Sequence, residues 1–108
     1  MSIVFVEYQI LPGYRSNYSD WMMEVRAQYD NLELYEGSDQ PGLFVEIWNG
    51  LSKEQYIQLK QARGKQGLKE DETALNNNPF GNTEWYRLDE WIKGGSEKVH
   101  IWHFEKVK

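Results

Sequence analysis

Three side chains in this sequence have the chemistry to move a proton: Glu7, Glu46 and His100. Two carboxylates close together in a partly dry place push one pKa upward, and the raised group then serves as a base. An imidazole works near neutrality without such help. Each of the three lies within a run of β-branched and aromatic residues, IVFVEYQI over 3–10, LFVEIW over 43–48 and VHIWHFEKV over 99–107, so each is expected on a strand. Glu7 and Glu46 are expected side by side on neighbouring strands. Tyr35, Phe44, Trp48 and Trp102 are expected to wall an apolar ligand pocket around these groups. The same aromatics equally suit packing at a subunit interface, where such residues are enriched.

Other chemistries fall away. The chain has no cysteine, which removes disulfides, thiolate metal sites and cysteine nucleophiles together and fits a reducing, cytoplasmic setting. His100-x-x-His103 has the look of a metal pair, but residues three apart on a strand point to opposite faces. No metal site and no cofactor are therefore expected. Arg63-Gly64-Lys65-Gln66-Gly67 lacks the spacing of a phosphate-binding loop. With 12 basic against 17 acidic residues the net charge is −5, and nucleic acid is not an expected partner. The cluster Lys53, Lys60, Arg63, Lys65 and Lys69 is diluted by Glu54, Glu70, Asp71 and Glu72, as on a solvated helix face. The first apolar run stops at Glu7 without a basic start, so no signal peptide is expected. No stretch nears the ~20 apolar residues that span a bilayer, so no membrane partner is expected either.

The elements that must position these groups follow from periodicity. At 108 residues the chain has room for one domain, residues 1–108, and its 16 aromatics supply a core. A strand over 3–10 ends at Leu11-Pro12-Gly13. Tyr18, Trp21, Met22, Val25 and Tyr29 then fall on one face of a helix over 15–30. Strands over 32–36 and 43–48 form a hairpin around Gly37–Gly42. Ser52 and Gln55 make a capping box, with Leu51 and Tyr56 as its hydrophobic staple, opening a second helix that extends toward 75. A loop over 76–82 precedes a helical insert over 83–92, with Trp85, Leu88, Trp91 and Ile92 on one face. Gly94-Gly95 stops it, and a strand over 99–107 closes the chain. The order β-α-β-β-α-β, with the insert before the last strand, is the ferredoxin-like α+β plan.

Alternation splits each strand into two faces. One is expected to be mostly aliphatic and to lie under the helices: Val4, Val6, Tyr8 and Ile10, then Leu32 and Leu34, then Leu43, Val45 and Ile47, then Val99, Ile101 and His103. The other mixes aromatics with acids: Phe5, Glu7 and Gln9 with Glu33 and Tyr35, then Phe44, Glu46 and Trp48, then His100, Trp102 and Phe104. A face so aromatic is not left in water, and a second copy of the chain is the expected cover, giving a homodimer packed sheet to sheet.

The segments IVFVEYQILPG, LYEGSDQPGLFVEIW and VHIWHFEKV resemble the dimeric α+β-barrel superfamily, most closely the small bacterial proteins grouped with antibiotic-biosynthesis monooxygenases and NIPSNAP-type proteins. The resemblance implies a barrel enclosed by two sheets, able to hold a small molecule. It implies either a binding protein for an apolar or aromatic molecule, or a cofactor-independent monooxygenase or isomerase using acid/base residues on the inner face. The haem-degrading branch uses an Asn near the end of the first strand and a Trp and a His on the second helix. Here Glu7 and Gln9 stand in that part of the strand, and residues 52–75 contain neither Trp nor His, so no residue carries over from that branch.

Overall fold

The computed structural model describes residues 1–64 and 78–107. Strand β1 spans Ser2–Gln9, helix α1 Arg15–Gln28, β2 Leu32–Glu36, β3 Leu43–Asn49, helix α2 Lys53–Ala62, the short helix α3 Leu88–Trp91 and β4 His100–Glu105. The four strands pair antiparallel in the order β2-β3-β1-β4, which is the ferredoxin-like arrangement expected from element order. The sequence places the second helix's extension toward 75 and the start of the following loop on residues 65–77, which lie outside the described residues.

Local chemistry sets the helix ends. The Ser52 hydroxyl accepts the Gln55 N–H at 3.1 Å, while the Gln55 side chain accepts the Ser52 N–H at 2.9 Å, so the capping box forms as its spacing predicts. Tyr18, Trp21, Met22 and Val25 are buried along α1, as the spacing of its apolar residues requires. From α2, Leu59 is buried and Tyr56 half-buried.

The insert departs from the single helix expected over 83–92. It is a 3₁₀ turn at Trp85–Arg87 running into the one α-helical turn of α3. Ile92 is already extended because it bridges Ile10 at the end of β1, with the Leu11 N–H donating to the Trp91 carbonyl at 2.7 Å and the Lys93 N–H to the Gln9 carbonyl at 2.8 Å. The predicted apolar set is nonetheless inside: Trp85 and Trp91 meet Trp21 edge to face, with centroids 5.8 and 5.7 Å away. The insert thus completes this chain's own core. The last strand is shorter than 99–107, since Val99 ends a further 3₁₀ turn at Ser96–Lys98.

The largest correction concerns β3. Trp48, Glu46 and Phe44 stand directly across from Val4, Val6 and Tyr8, on the face that the helices cover. Leu43, Val45 and Ile47 take the open face and are only half-buried. The two alternating sets of this strand are both apolar enough for the core. Phe44 and Trp48 remove more surface from water than the aliphatic set does, and Glu46 finds enough partners inside to be tolerated there.

Candidate functional site

The strand pairing divides the candidate residues into two places. Glu7, His100, Trp102 and Tyr35 share the open face of the sheet, whereas Glu46, Phe44 and Trp48 lie beneath the helices. Glu7 is opposite Val45 and Glu46 opposite Val6, so the two carboxylates point to opposite sides of the sheet and the expected side-by-side pair does not form.

On the open face, Glu7 lies directly across from His100 in the β1–β4 ladder. The His100 ring stacks on Trp102 at 5.5 Å with 11° between the planes, and Trp102 stacks in turn on Phe5 at 5.5 Å. Phe104 meets Phe5 edge to face at 6.3 Å. Among the described residues nothing covers these rings: Trp102 is 44% exposed, Phe104 49% and Tyr35 54%. Next to this aromatic patch a shallow cleft of about 410 Å³ opens at the C-terminal end of β1, lined by Glu7, Gln9, Leu43, Lys93, Lys98 and His100. A carboxylate and an imidazole on its border supply a proton acceptor and a donor, and the neighbouring rings supply an apolar wall. His103 points to the other side, stacking on Tyr56 at 5.4 Å with its Nε2 3.1 Å from the Leu51 carbonyl oxygen. The two histidines therefore do not converge. Among the described residues no three His, Cys, Asp or Glu side chains are grouped to hold a metal ion.

Under the helices, Glu46 anchors a closed polar cluster. Arg63, at the end of α2, donates to its two oxygens at 2.7 and 3.1 Å, Trp48 Nε1 donates at 2.9 Å, and the Tyr8 hydroxyl donates at 2.5 Å. Since the Tyr8 proton is committed to Glu46, the Tyr18 hydroxyl 2.7 Å away is the donor to Tyr8. The Arg63 guanidinium also lies over the Trp85 ring, 4.4 Å from its centroid. The side chains of Glu46 and Arg63 are 0% and 3% exposed. Burial, and then the Glu46 charge, push both Tyr8 and Tyr18 well above the usual tyrosine range. Burial alone would lower Arg63, but the adjacent carboxylate raises it. Among the described residues no buried side-chain nitrogen or oxygen lacks a partner, so this cluster is complete without a ligand. It ties the end of α2 to the middle of β3.

Sequence spacing does not announce Arg63, Tyr8 and Tyr18 as a unit, or Lys93 and Lys98 as cleft residues. A cation beside a helix-ending glycine, Arg63-Gly64, is the trace left by the first group, and two lysines bracketing Gly94-Gly95 are the trace left by the second.

No protein-family pattern matches the chain. No curated protein matches it either. Among solved structures it is similar to a Deinococcus radiodurans protein provisionally named an antibiotic biosynthesis monooxygenase, with a TM-score of 0.60, 12% identity, and 100% of this chain and 94% of that one covered. A second structure, of an antibiotic biosynthesis monooxygenase, gives a TM-score of 0.53 at 18% identity with both chains fully covered. At such identities the likeness is one of architecture: this chain has the ferredoxin-like α+β fold of the antibiotic biosynthesis monooxygenase structures.

Proposed function

We propose that this protein works as a homodimer, two copies packing open face to open face, and that a small apolar or aromatic molecule is held between the sheets beside Trp102 and Tyr35. The observation that carries this reading is the exposed aromatic face itself, Phe5, Trp102, Phe104 and Tyr35, on the side of the sheet that no helix among the described residues covers. Contiguous apolar surface of this kind marks an interaction site, and closed two-fold pairing is the commonest way to cover it. The Glu7–His100 pair favours a second reading, in which the same cleft transfers protons during a cofactor-independent oxygenation or isomerisation.

Replacing Trp102 by Glu places a charge within the proposed interface while leaving the covered core untouched. The wild-type chain is expected to sediment as a dimer at micromolar concentration, and Trp102→Glu as a monomer with an unchanged far-ultraviolet circular dichroism spectrum. A wild-type monomer under these conditions would contradict the proposal, as would a Trp102→Glu dimer.

A further inference from the structure

We infer that Lys93 and Lys98 form an anion-recognising end to the open-face site, so that the molecule held there is an amphipathic acid, with rings over Trp102 and an acidic group at the lysines. This rests on the reading that the open face holds a small apolar molecule, and it adds the charge and orientation of that molecule.

The placement comes from backbone pairing. Beyond His100, the strand beside β1 is replaced by the end of the insert: Ile92 bridges Ile10, and the Lys93 N–H donates to the Gln9 carbonyl. Ile10 and Ile92 are both buried beneath the helices, so Gln9 and Lys93, one residue away, turn to the open face. The chain then reverses through Gly94 and Gly95, at φ +82° and +78°. A Cβ added at Gly94 would come within 2.6 Å of Lys98 Cγ, so the Lys98 stem lies across this glycine and its ammonium shares the rim with Lys93. The result is a polarity gradient along one face. Phe5 and Trp102 form one cross-strand row, Glu7 and His100 the next, and Gln9 and Lys93 a third. Rows are about 6.7 Å apart, so the aromatic and cationic ends, two rows apart, stand about 13 Å apart, the span of a two- or three-ring acid.

The charge balance supports the assignment. The chain carries −5 overall, yet this cleft holds two lysines against the one carboxylate of Glu7. The ion pairs among the described residues are Arg15–Glu36, Arg63–Glu46 and Arg87–Glu84, and neither lysine belongs to one. An ammonium with no carboxylate partner among the described residues, at the end of an apolar face, suits an incoming anion.

The test compares two fluorescent probes that share one extended ring system, 2-anilinonaphthalene-6-sulfonate and its uncharged counterpart N-phenyl-2-naphthylamine, on the intact protein. The sulfonate is expected to bind wild type more tightly than the neutral probe. The pair Lys93→Met with Lys98→Met should weaken the sulfonate about tenfold, leave the neutral probe within about twofold, and be rescued by Lys93→Arg with Lys98→Arg. If the neutral probe binds and the sulfonate is indifferent to the methionine pair, the anion-recognising end is refuted while the apolar site stands. If neither probe binds wild type, the underlying ligand-binding reading falls with it.

Discussion

Replacing Arg63 by methionine is expected to lower the free energy of unfolding by about 3–5 kcal/mol. The reason is an asymmetry of buried charge. The intact pair contributes little net stability, because the attraction between Glu46 and Arg63 mainly offsets the cost of taking both from water. Removing the guanidinium leaves a carboxylate at the centre of the core with, among the described residues, only the Tyr8 hydroxyl and Trp48 Nε1 as donors. The carboxylate must then be carried uncompensated or take up a proton. Total stabilities run to about 5–15 kcal/mol, so the loss is a large share of what holds the fold. Urea unfolding at neutral pH measures it. Adding Glu46→Gln removes the orphaned charge while keeping an acceptor for Trp48, and should recover at least half the loss. An Arg63→Met protein within about 1 kcal/mol of wild type would show that this ion pair is not an uncompensated liability when broken.

The second large effect is a steep loss of stability in base. Tyr8 and Tyr18 are held in their neutral forms by burial and by the Glu46 charge, far above the usual tyrosine range. In the unfolded chain the same groups ionise near pH 10. Above that pH the unfolded state binds fewer protons than the folded state, so stability falls as pH rises. Below it these two groups contribute no pH dependence. Each group contributes a slope of about 1.4 kcal/mol per pH unit, and the two together about 2.7. Phenylalanine at position 18 removes one titrating group and one hydrogen bond. Tyr18→Phe should be about 1 kcal/mol less stable than wild type at pH 8, yet lose stability about half as steeply between pH 10.5 and 12. Parallel pH profiles for the two proteins would show that Tyr18 ionises freely in the folded state.

Much of this architecture is visible in the sequence because local signals and tertiary structure agree. The 3.6-residue spacing of Tyr18, Trp21, Met22 and Val25 fixes the buried face of α1, and Ser52 with Gln55 fixes the start of α2. For β1 and β4 the alternation has one plainly wetter side, and Glu7 and His100 lie on the face expected. Strand β3 is different. Leu43, Val45 and Ile47 form one credible core face, and Phe44 and Trp48 form another. The acid between the latter two favours the wrong choice, because its compensation comes from outside the strand. Tyr8 lies on β1 and Arg63 beyond the end of α2, and sequence spacing alone gives no sign that either reaches Glu46. The insert departs from its helical spacing for a related reason. Its apolar spacing is helical, but pairing of Ile92 with Ile10 draws the chain out into extended backbone after one turn. That same pairing places Lys93 in the sheet-face row of Gln9, a position no periodicity announces.

The central claim is that the open aromatic face is covered by a second copy around a small molecule. Native mass spectrometry of the purified protein tests it most directly, since it reports subunit count and retained ligand in one spectrum. The account predicts a species at about twice 12.9 kDa carrying additional mass, which acid denaturation releases as a small organic molecule. A spectrum dominated by bare monomer would contradict it.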